Sequence, residues 1–207
     1  MKFSIFKTVK ANRGRLCTYE VFKQATTSEL VGKVCKQIAA ETDHDKQGEL
    51  KKQLPVITWQ AYFEGARKNQ LAQPSGVVIN DFDDVEDPEQ LWRKIESRRE
   101  ELGILLAHKT PSCHGLRVVF RWKAGCKSID ECQQWMAKEI GVAHDPACKD
   151  WARASYVVPE GYVYYLDEKG LFEGEGGRMY DVGCEMYDVR GKREDVRGKK
   201  EDVRGKM

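Results

Sequence analysis

The chain has 207 residues, 41% of them hydrophobic and 33% charged, which suits one good core with a small added layer and a heavily charged surface. No stretch approaches the ~18 consecutive apolar residues of a membrane helix, and the opening MKFSIFKTVK has no apolar run ending in a small-residue cleavage site, so a cytoplasmic protein without a membrane partner is expected. The net charge of +2 excludes a nucleic-acid claim from global charge alone: residues 188–207 hold eight Lys or Arg against five Asp or Glu, which leaves −1 for the other 187 residues.

In chain order, residues 2–9 and roughly 15–22 suit strands. TSELVGKVCKQIAAETD then sets Leu30, Val31, Val34, Cys35 and Ile38 on one helical face, with Thr27 or Ser28 as N-cap. KQGELKKQLP predicts a short helix stopped by Pro55. This first part, residues 1–75, is expected to form an α/β layer. GVVINDF then predicts a strand. DPEQLWRKIESRREEL predicts a helix with Asp87 as N-cap and Pro88 at its first position. GILLAHK and LRVVFRW predict two strands joined by the turn TPSCHG. SIDECQQWMAKEIG predicts a helix ending at Gly141, RASYVVP a strand, and GYVYYLD one more. The expected class is α+β, with a βαββαβ unit of the RRM or ferredoxin-like kind packed on the first layer. Together, residues 1–175 make one domain, with 76–166 as its RRM-like part. Residues 176–207 end in DVRGKRE, DVRGKKE and DVRGKM, one Val and one Gly per repeat. Such repeats cannot bury enough surface to order themselves and predict a flexible charged tail.

Seven cysteines, an odd number with no CxxC, fit reduced thiols better than a disulfide framework. Cys126, Cys132, His144 and Cys148 are zinc-ligand types at a loose spacing. Cys132, however, lies in a helical pattern with Ile129, Trp135 and Met136, where a buried thiol is the expected reading.

The chemistry gathers where the unit's strands meet. With the usual order 4-1-3-2, the end of the first strand faces the starts of the third and fourth. Asp81 and Asp83 end the first strand, Ser112, His114 and Arg117 lie in the turn and at the start of the third, and Asp145 and Arg153 flank the start of the fourth. Asp81 and Asp83 are two apart and so point the same way on a strand, with Asp84 pointing away. With Asp145 they offer hard oxygens suited to Mg²⁺ or Mn²⁺ together with substrate phosphates. Ser112, His114, Arg117 and Arg153 supply donors for a triphosphate. Taken singly, each has a plain reading: NDFDDVED as a solvated turn before a helix, His114 as a turn histidine, Asp145–Pro146 as a turn initiator, and the arginines as surface charge. Their convergence favours a metal–nucleotide site.

These residues resemble the archaeo-eukaryotic primase (primase–polymerase) superfamily: Asp81-Phe82-Asp83 ending a strand, Ser112-Cys113-His114 at a hairpin, and Asp145 followed by Arg153. More closely, KKQLPVITW, INDFDDVEDPEQLW, TPSCHGLRVVF and HDPACKDWARASYVVPEGYVYYLDE are similar to the VirE N-terminal domain family of Bacteroides-type mobile elements. The resemblance implies a primase-like palm that joins nucleoside triphosphates on a DNA template. The three aspartates would hold metal and the histidine the triphosphate, in the replication of a mobile element. Larger relatives continue into a helicase, but this chain has no GxxxxGK[ST] phosphate loop, so either a separate helicase supplies unwinding or the chain is a shortened copy. Two alternatives stand beside it. One is a non-catalytic nucleic-acid- or protein-binding module that keeps the palm. The other is a haloacid-dehalogenase-like phosphatase with Asp81 as nucleophile, which requires a doubly wound parallel sheet.

Overall fold

The computed structural model describes residues 1–83, 85–143 and 149–173. The proposed tail, Asp84, His144, Asp145 and Cys148 lie outside the described residues.

The first layer is a four-stranded antiparallel sheet with three helices. Strands β1 (Ser4–Phe6) and β2 (Arg15–Leu16) form a hairpin, and helices α1 (Tyr19–Thr26), α2 (Glu29–Ala40) and α3 (His44–Lys51) follow. β3 (Val56–Thr58) pairs antiparallel with β1. The expectation of a strand over 15–22 holds only for its first two residues. Thr18 accepts a hydrogen bond from the Val21 amide, and that cap starts a helix. Asp43 caps α3 in the same way, through the amides of Asp45 and Lys46. Short strands β4 (Ala61–Tyr62) and β5 (Gln73–Pro74) pair with each other and lead into the second sheet.

That sheet is built from β6 (Val77–Phe82), β7 (Ile104–Lys109) and β8 (Leu116–Arg121). α4 (Pro88–Ile95) connects the first two, with Asp87 accepting from the Gln90 amide and Pro88 in the first turn, and tightens into a 3₁₀ turn over Glu96–Arg98. α5 (Ile129–Ile140) follows β8, capped by Ser128 at its start and ending at Gly141. β8 pairs antiparallel with both β6 and β7, so β6 and β7 run parallel, as the βαβ pattern requires.

The expected fourth strand is a correction. β9 (Ser155–Tyr156) does not lie beside β6; it extends the first sheet, pairing with β3, and the order there is β2-β1-β3-β9. β10 (Val163–Leu166) joins the second sheet at its far side, next to β7, giving β10-β7-β8-β6. The physical reason lies along the outer edge of β6. The Ile79 amide donates to Gln60 Oε1 at 3.2 Å, and the Ile79 carbonyl accepts from Gln133 Nε2 at 2.9 Å. Two buried side-chain amides satisfy the backbone groups that a strand would otherwise have paired. The second sheet's ladders are all antiparallel, so the doubly wound parallel sheet that the phosphatase alternative requires is not formed.

The second sheet is the middle layer. One face, with Val77, Ile79, Leu106 and Val119, packs on Ile57 of β3, on Phe3 and Trp59 next to β1 and β3, and on Val31, Val34 and Ile38 of α2. The other, with Val78, Phe82, Val118 and Phe120, packs on Leu91, Trp92 and Ile95 of α4 and on Ile129, Cys132 and Met136 of α5. Cys132 is fully buried there and its thiol is pushed up to about 12 by burial, so it is a protonated core residue. The five described cysteines are all free thiols. No described helix is long and apolar enough to cross a membrane.

Candidate functional site

β6 alternates its side chains, and the odd-numbered ones face the first layer. Val77 and Ile79 are apolar, but the next residue on that face is Asp81, which is 3% exposed. Its cross-strand neighbour on β8 is Arg117, and the next partner, on β7, is His108. Asp81 and Arg117 form a two-pronged ion pair: Arg117 Nε donates to Asp81 Oδ1 and Nη2 to Oδ2. Both are buried, so the pair is screened little by solvent. His108 is also buried, with Nδ1 2.8 Å from the Lys109 carbonyl. Burial, then the Arg117 charge, pushes its pKa down to about 4, so the ring is neutral at pH 7. The row thus carries one negative, one positive and one neutral group.

Asp83 lies one residue beyond the strand and is exposed. It meets the hairpin that joins β7 to β8. A Cβ placed on Gly115 would stand 3.0 Å from Asp83 Oδ1, 3.0 Å from the Phe82 carbonyl oxygen and 3.0 Å from Thr110 Cγ2. These contacts are tighter than ordinary van der Waals distance, so a side chain here would push its neighbours aside and glycine lets the hairpin sit this close. The Val85 amide donates to the His114 carbonyl at 3.0 Å, a second tie between the end of β6 and the same hairpin. Within it, Thr110 N donates to Gly115 O at 2.8 Å and Cys113 N to Thr110 O at 2.9 Å, with Cys113 in the left-handed region at φ 66°. Ser112 is half-buried, its hydroxyl 3.3 Å from that of Thr110, and His114 is exposed.

Arg153 is half-buried in the turn before β9. That turn reaches β6 through a side chain rather than a strand: Gln60 Nε2 donates to the Asp150 carbonyl at 2.7 Å while its Oε1 holds Ile79. The structure therefore brings together Asp81, Asp83, Arg117 and the Ser112–His114 hairpin, and ties the Arg153 turn to the β6 edge. Asp145 lies outside the described residues. Among the described residues no group of three His, Cys, Asp or Glu is gathered to hold a metal. Asp81 and Asp83 still offer hard oxygen donors at one strand end, the donor type that Mg²⁺ and Mn²⁺ take, so the residues present fit such an ion in kind.

Sequence reasoning missed His108, Gln60 and Gln133. A polar residue at an inward position of ILLAHK was a signal for His108; neither glutamine carries one.

The family described as BT4734-like, N-terminal domain, matches residues 49–165, more than half of the chain. The chain belongs to this family. The match runs from α3 to β10 and takes in β6, the 110–115 hairpin and the Arg153 turn. No curated protein and no solved structure matches the chain.

Proposed function

We propose that the chain catalyses metal-dependent nucleotidyl transfer on a DNA template, with a primase–polymerase-type palm like that of the VirE N-terminal domains of mobile elements. One observation carries the reading: the strand end with Asp81 and Asp83 lies against the hairpin with Ser112 and His114, closed down on Gly115. Residues far apart in sequence meet at one place with carboxylates on one side and phosphate donors on the other.

In this reading Asp81, Asp83 and Asp145 hold Mg²⁺ or Mn²⁺. When bound, such an ion lowers the cost of the charge that develops on the attacking hydroxyl and the leaving pyrophosphate. Arg117, grouped by sequence with the triphosphate donors, fixes the orientation of Asp81 through its two hydrogen bonds. Ser112 and His114 donate to the triphosphate from the hairpin, and Arg153 adds positive charge from its turn.

The test is a primer-extension and de novo synthesis assay with Mg²⁺ and with Mn²⁺. Incorporation is expected in at least one. Asp83→Ala should abolish turnover, while His114→Ala should weaken triphosphate binding about tenfold to a hundredfold, the worth of a charge-assisted hydrogen bond of ~1.5–3 kcal/mol. No incorporation by a folded chain, or equal and small effects of both substitutions, overturns it. A second reading, a non-catalytic nucleic-acid- or protein-binding module, is favoured by the engagement of both Asp81 oxygens with Arg117. Nucleoside triphosphate binding that depends on Mn²⁺ separates the two, since only the enzyme requires it.

A further inference from the structure

We infer that the β1–β2 hairpin, with Lys68 beside it, is a docking surface for the phosphate backbone of a nucleic-acid strand. The first 19 residues hold five Lys or Arg and no acid. Four of them, Lys7, Lys10, Arg13 and Arg15, lie in or next to the hairpin loop and are exposed, as is Lys68. None of the five is in an ion pair among the described residues. Glu49, an acid that the charge of Lys10 reaches, is itself paired with Lys52.

The surface is held in shape. Ile5, Phe6 and Pro55 line a groove of ≈ 430 Å³ together with Lys7, Arg13 and Arg15. Gly14 lets the hairpin close on it: a Cβ there would stand 2.7 Å from the Ile5 carbonyl oxygen. Arg67 pins the loop from the other side, its amide donating to the Asn12 carbonyl at 2.9 Å, its guanidinium to that of Val9, and its charge resting 5.1 Å from the centre of the Phe6 ring. Several exposed cations on a shaped hairpin, three of them lining an open groove, suit the repeating charges of a nucleic-acid backbone better than a single small anion, which would need enclosing donors.

The surface also borders the candidate site. Val9 and Ala11 of the hairpin pack on the same small core as Trp151, Ala152 and Ala154, the residues on either side of Arg153. A strand lying along the hairpin therefore leads towards the turn that Gln60 ties to β6. The choice of nucleic acid as the polyanion rests on the proposed function; the basic surface does not.

The experiment measures binding of a fluorescent single-stranded DNA oligonucleotide by anisotropy across a salt series, without metal or nucleotide. The full chain is compared with Lys7→Gln/Lys10→Gln/Arg13→Gln/Arg15→Gln and with a control of equal charge change on exposed lysines elsewhere, Lys33→Gln/Lys36→Gln/Lys127→Gln/Lys138→Gln. The hairpin variant should lose at least tenfold in affinity near 0.1 M salt, and its log–log salt slope should become shallower by about 0.7 for each phosphate that is no longer neutralised. Arg13→Lys/Arg15→Lys should bind nearly as the parent does. Equal losses in the hairpin variant and the control overturn the inference, as does a parent chain that binds anionic lipid vesicles through these residues but no oligonucleotide. Hairpin-dependent DNA binding with no nucleotide incorporation upholds the surface and removes the catalytic reading. Incorporation that survives loss of the hairpin charges, with binding unchanged, does the reverse.

Discussion

The two faces of the second sheet begin alike and end differently. Towards α4 and α5, Val78, Phe82, Leu116, Val118 and Phe120 make an apolar surface broken at Asn80, an uncharged amide that donates to the Gln133 carbonyl of α5 at 3.0 Å. Towards the first layer, Val77, Ile79, Leu106 and Val119 are apolar too, until the face turns to Asp81, Arg117 and His108 in a single row across three strands. Apolar side chains would have filled that row at no electrostatic cost. A buried ion pair generally does no better than break even against them, because desolvation of both charges offsets their attraction. Folding stability alone thus gives no reason for the row, and it stands at the end of the sheet where Asp83 and the hairpin meet.

The comparison breaks most sharply at Arg117. Arg117→Leu leaves Asp81 buried with no counter-charge from β8 and should cost ~3–5 kcal/mol of unfolding free energy in a denaturant titration. Asp81→Leu/Arg117→Leu should recover most of that loss, since it extends the apolar face by one row. A single substitution as mild as a surface change would mean the two faces do not differ in the way described.

His108 makes the difference depend on pH. Its pKa is depressed to about 4 in the fold, below its ordinary value of 6.5. The unfolded chain therefore takes up a proton first as pH falls. The stabilisation is fully present above about pH 6.5 and is lost as pH drops towards the folded value, at up to ~1.4 kcal/mol per pH unit. His108→Gln removes this proton uptake. Its stability curve should be flatter than the parent's between pH 6.5 and 4, and parallel curves would show that the ring is not held neutral by its surroundings.

A smaller effect sharpens the contrast at the β6 edge. Gln60→Leu leaves the buried Ile79 amide without its acceptor and should cost ~1–3 kcal/mol. It also frees the Asp150 turn, so hydrogen exchange should quicken at Ile79 and around 150–153 together. Faster exchange at only one of them would separate the turn from the strand.

The apolar face was legible in the sequence because strand and helix periods record it directly. VVINDF, LRVVFRW and the helix capped by Asp87 with Pro88 in its first turn all appear where they were expected. The meeting of Asp83 with the 110–115 hairpin was legible too, because the βαβ connection and the β7–β8 hairpin bring those ends together. The placement of 155–156 was not. An outer strand edge can be satisfied by another strand or by side-chain amides, and neither Gln60 nor Gln133 shows in a hydrophobic pattern. The placing of His108 opposite Arg117 follows from register, and the irregularity between Ile104 and Leu106 that sets it leaves no mark in the composition.

The smallest change tests the closest approach. At Gly115 φ is not positive, so an added methyl meets no backbone penalty and only space is at issue. Its neighbours would be at 3.0 Å: the Phe82 carbonyl oxygen, which is fixed in the ladder, Thr110 Cγ2, and Asp83 Oδ1, which can move. Gly115→Ala should therefore cost only ~1 kcal/mol, at the low end of overpacking, and should take most of that from the displacement of Asp83. A double-mutant cycle with Asp83→Ala isolates this. If the carboxylate is what gives way, the alanine at 115 should be cheaper by ~0.5 kcal/mol or more once Asp83 is gone. In a nucleotide-incorporation assay the same single substitution should cost more than its effect on stability, because it moves a carboxylate that is proposed to hold metal. Strict additivity in the cycle would place the strain on the Phe82 carbonyl instead. Gly115 would then matter to the ladder between β6 and β8, and Asp83 would only be passing by.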